Sequence, residues 1–168
     1  MRLLLLRHGQ AEPRETWNGG DEGRPLTAEG RSAMAREAAV LARLGSAPDV
    51  ILSSPLTRAH ETAQIVAEGL GVADRLHDDV RLAPGFGPTQ LEEILEEHRE
   101  ARTVMLVGHE PDFSLTIGGL VGGAALVCKK GGLARVDVDP ESGAAELVWL
   151  LPPKVLTVST SKGGSGGD

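Results

Sequence analysis

Two histidines and two arginines in this chain each follow a short apolar run, where phosphate chemistry becomes possible. Leu3-Leu4-Leu5-Leu6 runs into Arg7-His8-Gly9, and Val104-Met105-Leu106-Val107 runs into Gly108-His109. Between them, Val50-Ile51-Leu52 leads into Ser53-Ser54-Pro55, with Arg58 one helical turn further on. A neutral imidazole can attack phosphorus, and a guanidinium can clamp the oxygens bidentately. Histidine has an ordinary pKa near 6.5, so its nucleophilic form exists at neutral pH.

These residues act together only if the elements carrying them share one sheet edge. Runs of four to six apolar residues closed by Gly or Ser read as fully buried parallel strands, and ligands bind beyond the carboxyl ends of such strands. The pattern predicts strands at 3–6, 49–53, 79–82, 103–107, 133–138 and 146–151. Helices are predicted over 32–44, with Thr27 as N-cap and Gly45 as terminator, over 56–70, closed by Gly71, over 91–98, and from Pro111 to about residue 120. Ser54 reads as the N-cap of the second helix, with Pro55 at its first position. The polar stretch 10–25 reads as a loop over the strand ends, anchored by Trp17. Strands alternating with helices predict a three-layer α/β/α sandwich around a mostly parallel sheet. The expected division is one domain over 1–158 and a flexible Ser/Gly-rich tail over 159–168.

Composition removes several function classes. Aromatics make up 2% of the 168 residues and the net charge is −7, which argues against nucleic-acid binding. No apolar run is long enough for a membrane span. The lone Cys128 reads as a structural thiol and fits a reducing, cytoplasmic setting. No His/Cys/Asp/Glu spacing resembles a zinc site.

The segments Leu6-Arg7-His8-Gly9, Ser53-Ser54-Pro55-Leu56-Thr57-Arg58-Ala59-His60-Glu61-Thr62-Ala63 and Val107-Gly108-His109 resemble the histidine phosphatase superfamily, of phosphoglycerate mutase-like fold. Together with Arg24-Pro25-Leu26-Thr27 and the small size, they look most like its SixA branch of phosphohistidine phosphatases. The resemblance implies that His8 takes the phosphoryl group covalently. It implies that Arg7, Arg58 and His109 hold the oxygens, that Arg24 and Gly9 serve substrate binding, and that neither metal nor cofactor is needed. Gly9 should let the backbone turn sharply and approach the ligand. Larger members carry a proton-donating carboxylate after the third strand, but here 81–88 reads Arg-Leu-Ala-Pro-Gly-Phe-Gly-Pro. Asp21 is the candidate general acid, ahead of Glu12 and Glu22. Imidazole leaves more readily than an alkoxide, so the missing acid favours a phosphohistidine substrate.

The expected function is therefore removal of phosphate from a phosphorylated protein histidine, on a signalling partner of the histidine-containing phosphotransfer type, by a monomer. A phosphatase of small phosphorylated compounds on the same site is the second reading. A non-catalytic phosphate or phosphoprotein binder is the third. Taken singly, Arg58 would read as an ion-pair partner of Glu61 or Glu110, and His109 as a structural histidine. His60, His77, His98 and the acidic run Glu92, Glu93, Glu96, Glu97 read as solvated surface.

Overall fold

The computed structural model describes residues 1–45 and 47–156. The tail expected over 159–168 lies outside the described residues.

β1 (Arg2–Arg7) takes its place at the centre because its four leucines are apolar on both faces of the pleat. Leu3 and Leu5 pack with Leu106, Phe113 and Ile117 on one side, whereas Leu4 and Leu6 pack with Ile51, Ala63 and Met105 on the other. Each fully buried leucine contributes about 1.5–3 kcal/mol, and this run can be satisfied only if both faces are covered. β2 (Val50–Ser53) and β4 (Thr103–Gly108) are likewise buried throughout. The sheet is completed by β3 (Leu76–Asp78), β5 (Leu133–Val138) and β6 (Ala145–Leu151), in the order β3-β2-β4-β1-β5-β6. β3, β2, β4 and β1 are mutually parallel, while β5 runs antiparallel to both β1 and β6.

One face is covered by α1 (Ala28–Arg43), α2 (Thr57–Leu70) and the short α5 (Pro153–Leu156), the other by α3 (Pro88–Glu97) and α4 (Asp112–Leu120). This is the three-layer α/β/α arrangement. α1 begins as expected, with the Thr27 hydroxyl accepting the Gly30 N–H at 3.0 Å. α2 ends at Gly71, which takes the left-handed conformation with φ 70°.

Two expectations at element ends need correction. The strand expected at 79–82 lies instead at Leu76–Asp78, because the Asp79 carboxylate accepts the Arg81 N–H at 2.9 Å and turns 80–82 into a 3₁₀ turn. α2 starts at Thr57 rather than 56, and its N-cap position is Leu56, with no side-chain cap. Ser54 sits before the helix and is engaged elsewhere. Glu97 lies on the surface as expected, where both its oxygens take Arg81 guanidinium nitrogens, at 2.8 and 2.6 Å.

Register explains why the sheet carries a site. Arg7 lies opposite Gly108 and Ser53 opposite Val107, so β1, β2 and β4 end level with one another. His8, Ser54 and His109 are each the next residue after those ends.

Candidate active site

The nucleophile candidate is held by backbone alone on one side. His8 is 6% exposed, and its Nδ1 lies 2.8 Å from the Gly9 carbonyl oxygen, to which it donates. Its Nε2 accepts from Arg58 Nε at 3.3 Å. The network therefore places the ring proton on Nδ1 and leaves a lone pair on Nε2. Burial pushes the imidazole down to about 3; His109, Arg58 and Arg7 add to this and the Gly9 carbonyl opposes it. The ring stays neutral at physiological pH.

Arg58 reaches His8 because it heads the buried stripe of α2, followed at helical spacing by Ala59, Thr62, Ala63 and Val66. Thr62 adds a second tie. Its hydroxyl donates to the Arg58 carbonyl at 2.7 Å and accepts the Gly9 N–H at 3.0 Å. Gly9 does not take the left-handed conformation, since its φ is not positive. A Cβ there would press on Met34 at 3.0 Å and Leu26 at 3.4 Å, so glycine serves the packing of α1 against the end of β1.

The loop 10–25 folds over the strand ends and is closed by one carboxylate. Asp21 Oδ2 accepts from Arg58 Nη2 at 3.1 Å, while Oδ1 accepts from Arg24 Nε at 3.1 Å and pairs with Arg14 Nη2 at 3.1 Å. The Asp21 carbonyl also takes Arg58 Nη1 at 2.8 Å. Burial opposes ionisation of this carboxyl, yet Arg58, Arg24 and Arg14 together hold it below the ordinary aspartate value. Arg24 Nη1 donates to the Glu12 carbonyl at 2.8 Å, which fastens the two ends of the loop. Trp17 donates from Nε1 to the Gly20 carbonyl at 2.8 Å and folds over the loop tip.

His109 lies 5.3 Å from His8 between ring centroids. Its Nε2 is 2.8 Å from the Ser54 hydroxyl, and its Nδ1 is buried with no partner among the described residues. Burial, then Arg58, pushes this ring down to about 4, against the pull of Asp21. Arg7 donates from Nη1 to the Cys128 carbonyl at 2.8 Å, while its Nε is also buried without a partner among the described residues. An unpaired N–H on a half-buried guanidinium suits an anion with several acceptor oxygens.

Arg7, His8, Asp21, Arg24, Arg58 and His109 all line one cleft of about 620 Å³, which also takes in Glu110 and Lys130. A wider depression of about 1070 Å³ lies by the opposite strand ends at Arg2, Asp49 and Arg102, but no histidine lines it. His60 is outside the cleft, with Nδ1 2.7 Å from Asp78 Oδ1 on the surface. Glu61 pairs with Arg31 at 2.6 Å, and its other oxygen accepts the Leu26 N–H, so it does not hold Arg58. Cys128 is fully buried, and burial, followed by Glu110, pushes its thiol up to about 11. Sequence reasoning missed Thr62 and the second role of Ser54; the signal was there, in hydroxyls beside Arg58 and at a strand end, without a way to see their partners. Among the described residues, no group of three or more His, Cys, Asp or Glu side chains could hold a metal ion. No helix among them is long and apolar enough to cross a membrane.

Residues 3–83 match the model of the histidine phosphatase superfamily (branch 1). An uncharacterized protein of Picosynechococcus sp. is 31% identical over 169 residues, spanning 93% of this chain and 99% of that protein. Among solved structures, the protein histidine phosphatase SixA complexed with tungstate superposes with a TM-score of 0.84 at 24% identity, over 93% of this chain and 99% of that one. The alpha-ribazole phosphatase from Shigella flexneri superposes with a TM-score of 0.71 at 22% identity, over 91% and 97% of the two chains. At these identities the superpositions speak for the fold. The chain belongs to the histidine phosphatase superfamily.

Proposed function

We propose that this protein is a phosphohistidine phosphatase, acting on a phosphorylated protein histidine through a covalent phospho-His8 intermediate. The observation that carries the reading is the unprotonated His8 Nε2, aimed at the Arg58 guanidinium in a cleft also lined by Arg7 and His109. In the first step the Nε2 lone pair attacks phosphorus as the bond from phosphorus to the substrate imidazole breaks; that ring enters protonated on its other nitrogen, so it leaves as neutral imidazole. In the second, water attacks phosphorus, the bond to Nε2 breaks and inorganic phosphate leaves. The arginines and His109 stabilise the charge on the transferring oxygens.

The state of Asp21 supports a substrate with a good leaving group. A carboxyl held ionised by three arginines is a poor proton donor, so we give it the role of positioning Arg58 and Arg24 rather than of general acid. Glu12 lines the cleft as well, whereas Glu22 does not. We propose that turnover needs no added metal. A second reading, a phosphatase of small phosphorylated compounds, is favoured by the cleft volume of about 620 Å³, which falls in the range of small-molecule sites.

The test is release of inorganic phosphate from a histidine-phosphorylated protein domain and from para-nitrophenyl phosphate, each with chelator present. Release from the phosphoprotein at much higher kcat/KM, lost in His8→Ala, is the expected result. Preference for the aryl ester would transfer the function to the second reading. Tight binding of phosphoprotein with no release from either would make the protein a binder.

A further inference from the structure

The Ser54 hydroxyl and the His109 ring share a hydrogen bond whose direction can be worked out from their other partners. A serine hydroxyl has one proton to give and two lone pairs to receive. One lone pair takes the Leu56 N–H at 3.3 Å. The remaining contact is to His109 Nε2 at 2.8 Å, and both side chains are buried. If Nε2 carried the ring proton, it would donate to Ser54, and the hydroxyl proton would have no acceptor among the described residues. His109 Nδ1 would then be a buried lone pair in the lining of a site built for phosphoryl oxygens, which are themselves acceptors. If Ser54 donates to Nε2 instead, the ring proton sits on Nδ1. Every group is then satisfied except one N–H, and that N–H belongs to a ring lining the anion cleft.

We propose that Ser54 is a positioning residue that holds His109 as its Nδ1–H tautomer, so that the ring offers a hydrogen-bond donor to the transferring phosphoryl group. The proposal rests on the phosphoryl-transfer reading above. It matters because burial and the nearby Arg58 keep this ring neutral, so it has a single proton to place. In the wrong tautomer, His109 would repel the oxygens that Arg7 and Arg58 attract. At His8 the Gly9 carbonyl fixes the same Nδ1–H tautomer, but there the nitrogen turned toward Arg58 is Nε2, so a lone pair is left where the phosphorus must be attacked. One ring gives electrons and the other gives a proton, each fixed by a neighbour at a strand end.

The experiment is long-range ¹H–¹⁵N NMR of the histidine side chains in the full chain at neutral pH, with kinetics of Ser54→Ala and Ser54→Thr. Wild-type His109 is expected to show a protonated Nδ1 and an unprotonated Nε2. Ser54→Ala should move the proton toward Nε2 and lower kcat about ten- to a hundredfold, with a smaller change in KM, as expected when a transition-state donor is lost. Ser54→Thr, which keeps the hydroxyl, should restore both tautomer and rate. A wild-type ring protonated at Nε2, or a Ser54→Ala ring still protonated at Nδ1, would overturn the proposal. Should Ser54→Ala fail to fold, the wild-type spectrum alone decides. A protein with the Nδ1–H ring that transfers no phosphate would remove the functional reading and leave the tautomer assignment standing; an active enzyme with an Nε2–H ring would do the reverse.

Discussion

Arg58 is the residue through which the site is assembled, because its three donor nitrogens serve two masters. Nε faces His8 while Nη1 and Nη2 are held by the backbone and side chain of Asp21. A carboxylate here orients a cation that must sit close to a second, Arg24, and offsets their repulsion. Asp21→Asn should therefore weaken all substrates alike, by about tenfold in kcat/KM, as misplacement of a clamping group does. If Asp21 donated the proton, the loss would instead grow with the pKa of the leaving group. A series of aryl phosphates with graded leaving groups, assayed with wild type and variant, separates the two by slope. Residue order singled out Asp21 for the site, but as an acid and not as the partner of Arg58. Asp21 lies in an aperiodic loop, and its meeting with Arg58, 37 positions away, depends on how 10–25 folds over the strand ends.

At the scale of elements, the strands that matter announce themselves. β1, β2 and β4 are uninterrupted apolar runs, and their ends were legible as the place of the site because burial on both faces leaves few alternatives. β3 was misplaced because three half-exposed residues give no such signal, and α5, four residues long, gave none at all. Ser54 read as a helix cap on local grounds, but the hydroxyl is committed to His109 as well as to the Leu56 N–H, a tertiary claim that sequence alone could not weigh. The joint between α2 and the end of β1 is Thr62, fully buried and bonded to both the Gly9 N–H and the Arg58 carbonyl. Thr62→Val keeps the shape and strands the buried Gly9 N–H, which should cost about 1–3 kcal/mol. The urea midpoint should fall at unchanged slope, together with kcat. An unchanged midpoint would mean that α2 is not fastened to β1 in this way.

Across the whole molecule, buried ionisable groups should give stability an unusual dependence on pH. His8 and His109 have folded values of about 3 and about 4, below the ordinary 6.5. Below pH 6.5 the unfolded chain takes up protons that the folded one refuses, so stability falls as pH drops from 6.5 toward 4, by about 1.4 kcal/mol per pH unit for each ring. Glu37 acts on the other limb. It is fully buried on α1 with both oxygens unpartnered among the described residues, and burial, opposed by Arg36, pushes it up to about 8 from 4.5. The unfolded chain releases this proton first, so stability falls as pH rises from 4.5 to 8. Where the two trends meet, stability should peak near pH 6.5. Glu37→Met should raise stability at pH 8 by about 1–3 kcal/mol and flatten the limb above pH 6.5. Urea unfolding from pH 5 to 8 measures both limbs, and an unaltered alkaline limb in Glu37→Met would show that Glu37 is not its source.

The central claim is that phosphate passes through His8. Its most direct test is rapid quench of the enzyme with a histidine-phosphorylated protein domain, followed by mass spectrometry under alkaline conditions that preserve phosphohistidine. One phosphoryl group should be found on His8 during turnover and none on the His8→Ala variant, which should also lose phosphate release. Turnover that persists in His8→Ala, or a phosphoryl group trapped on any other residue, would contradict it.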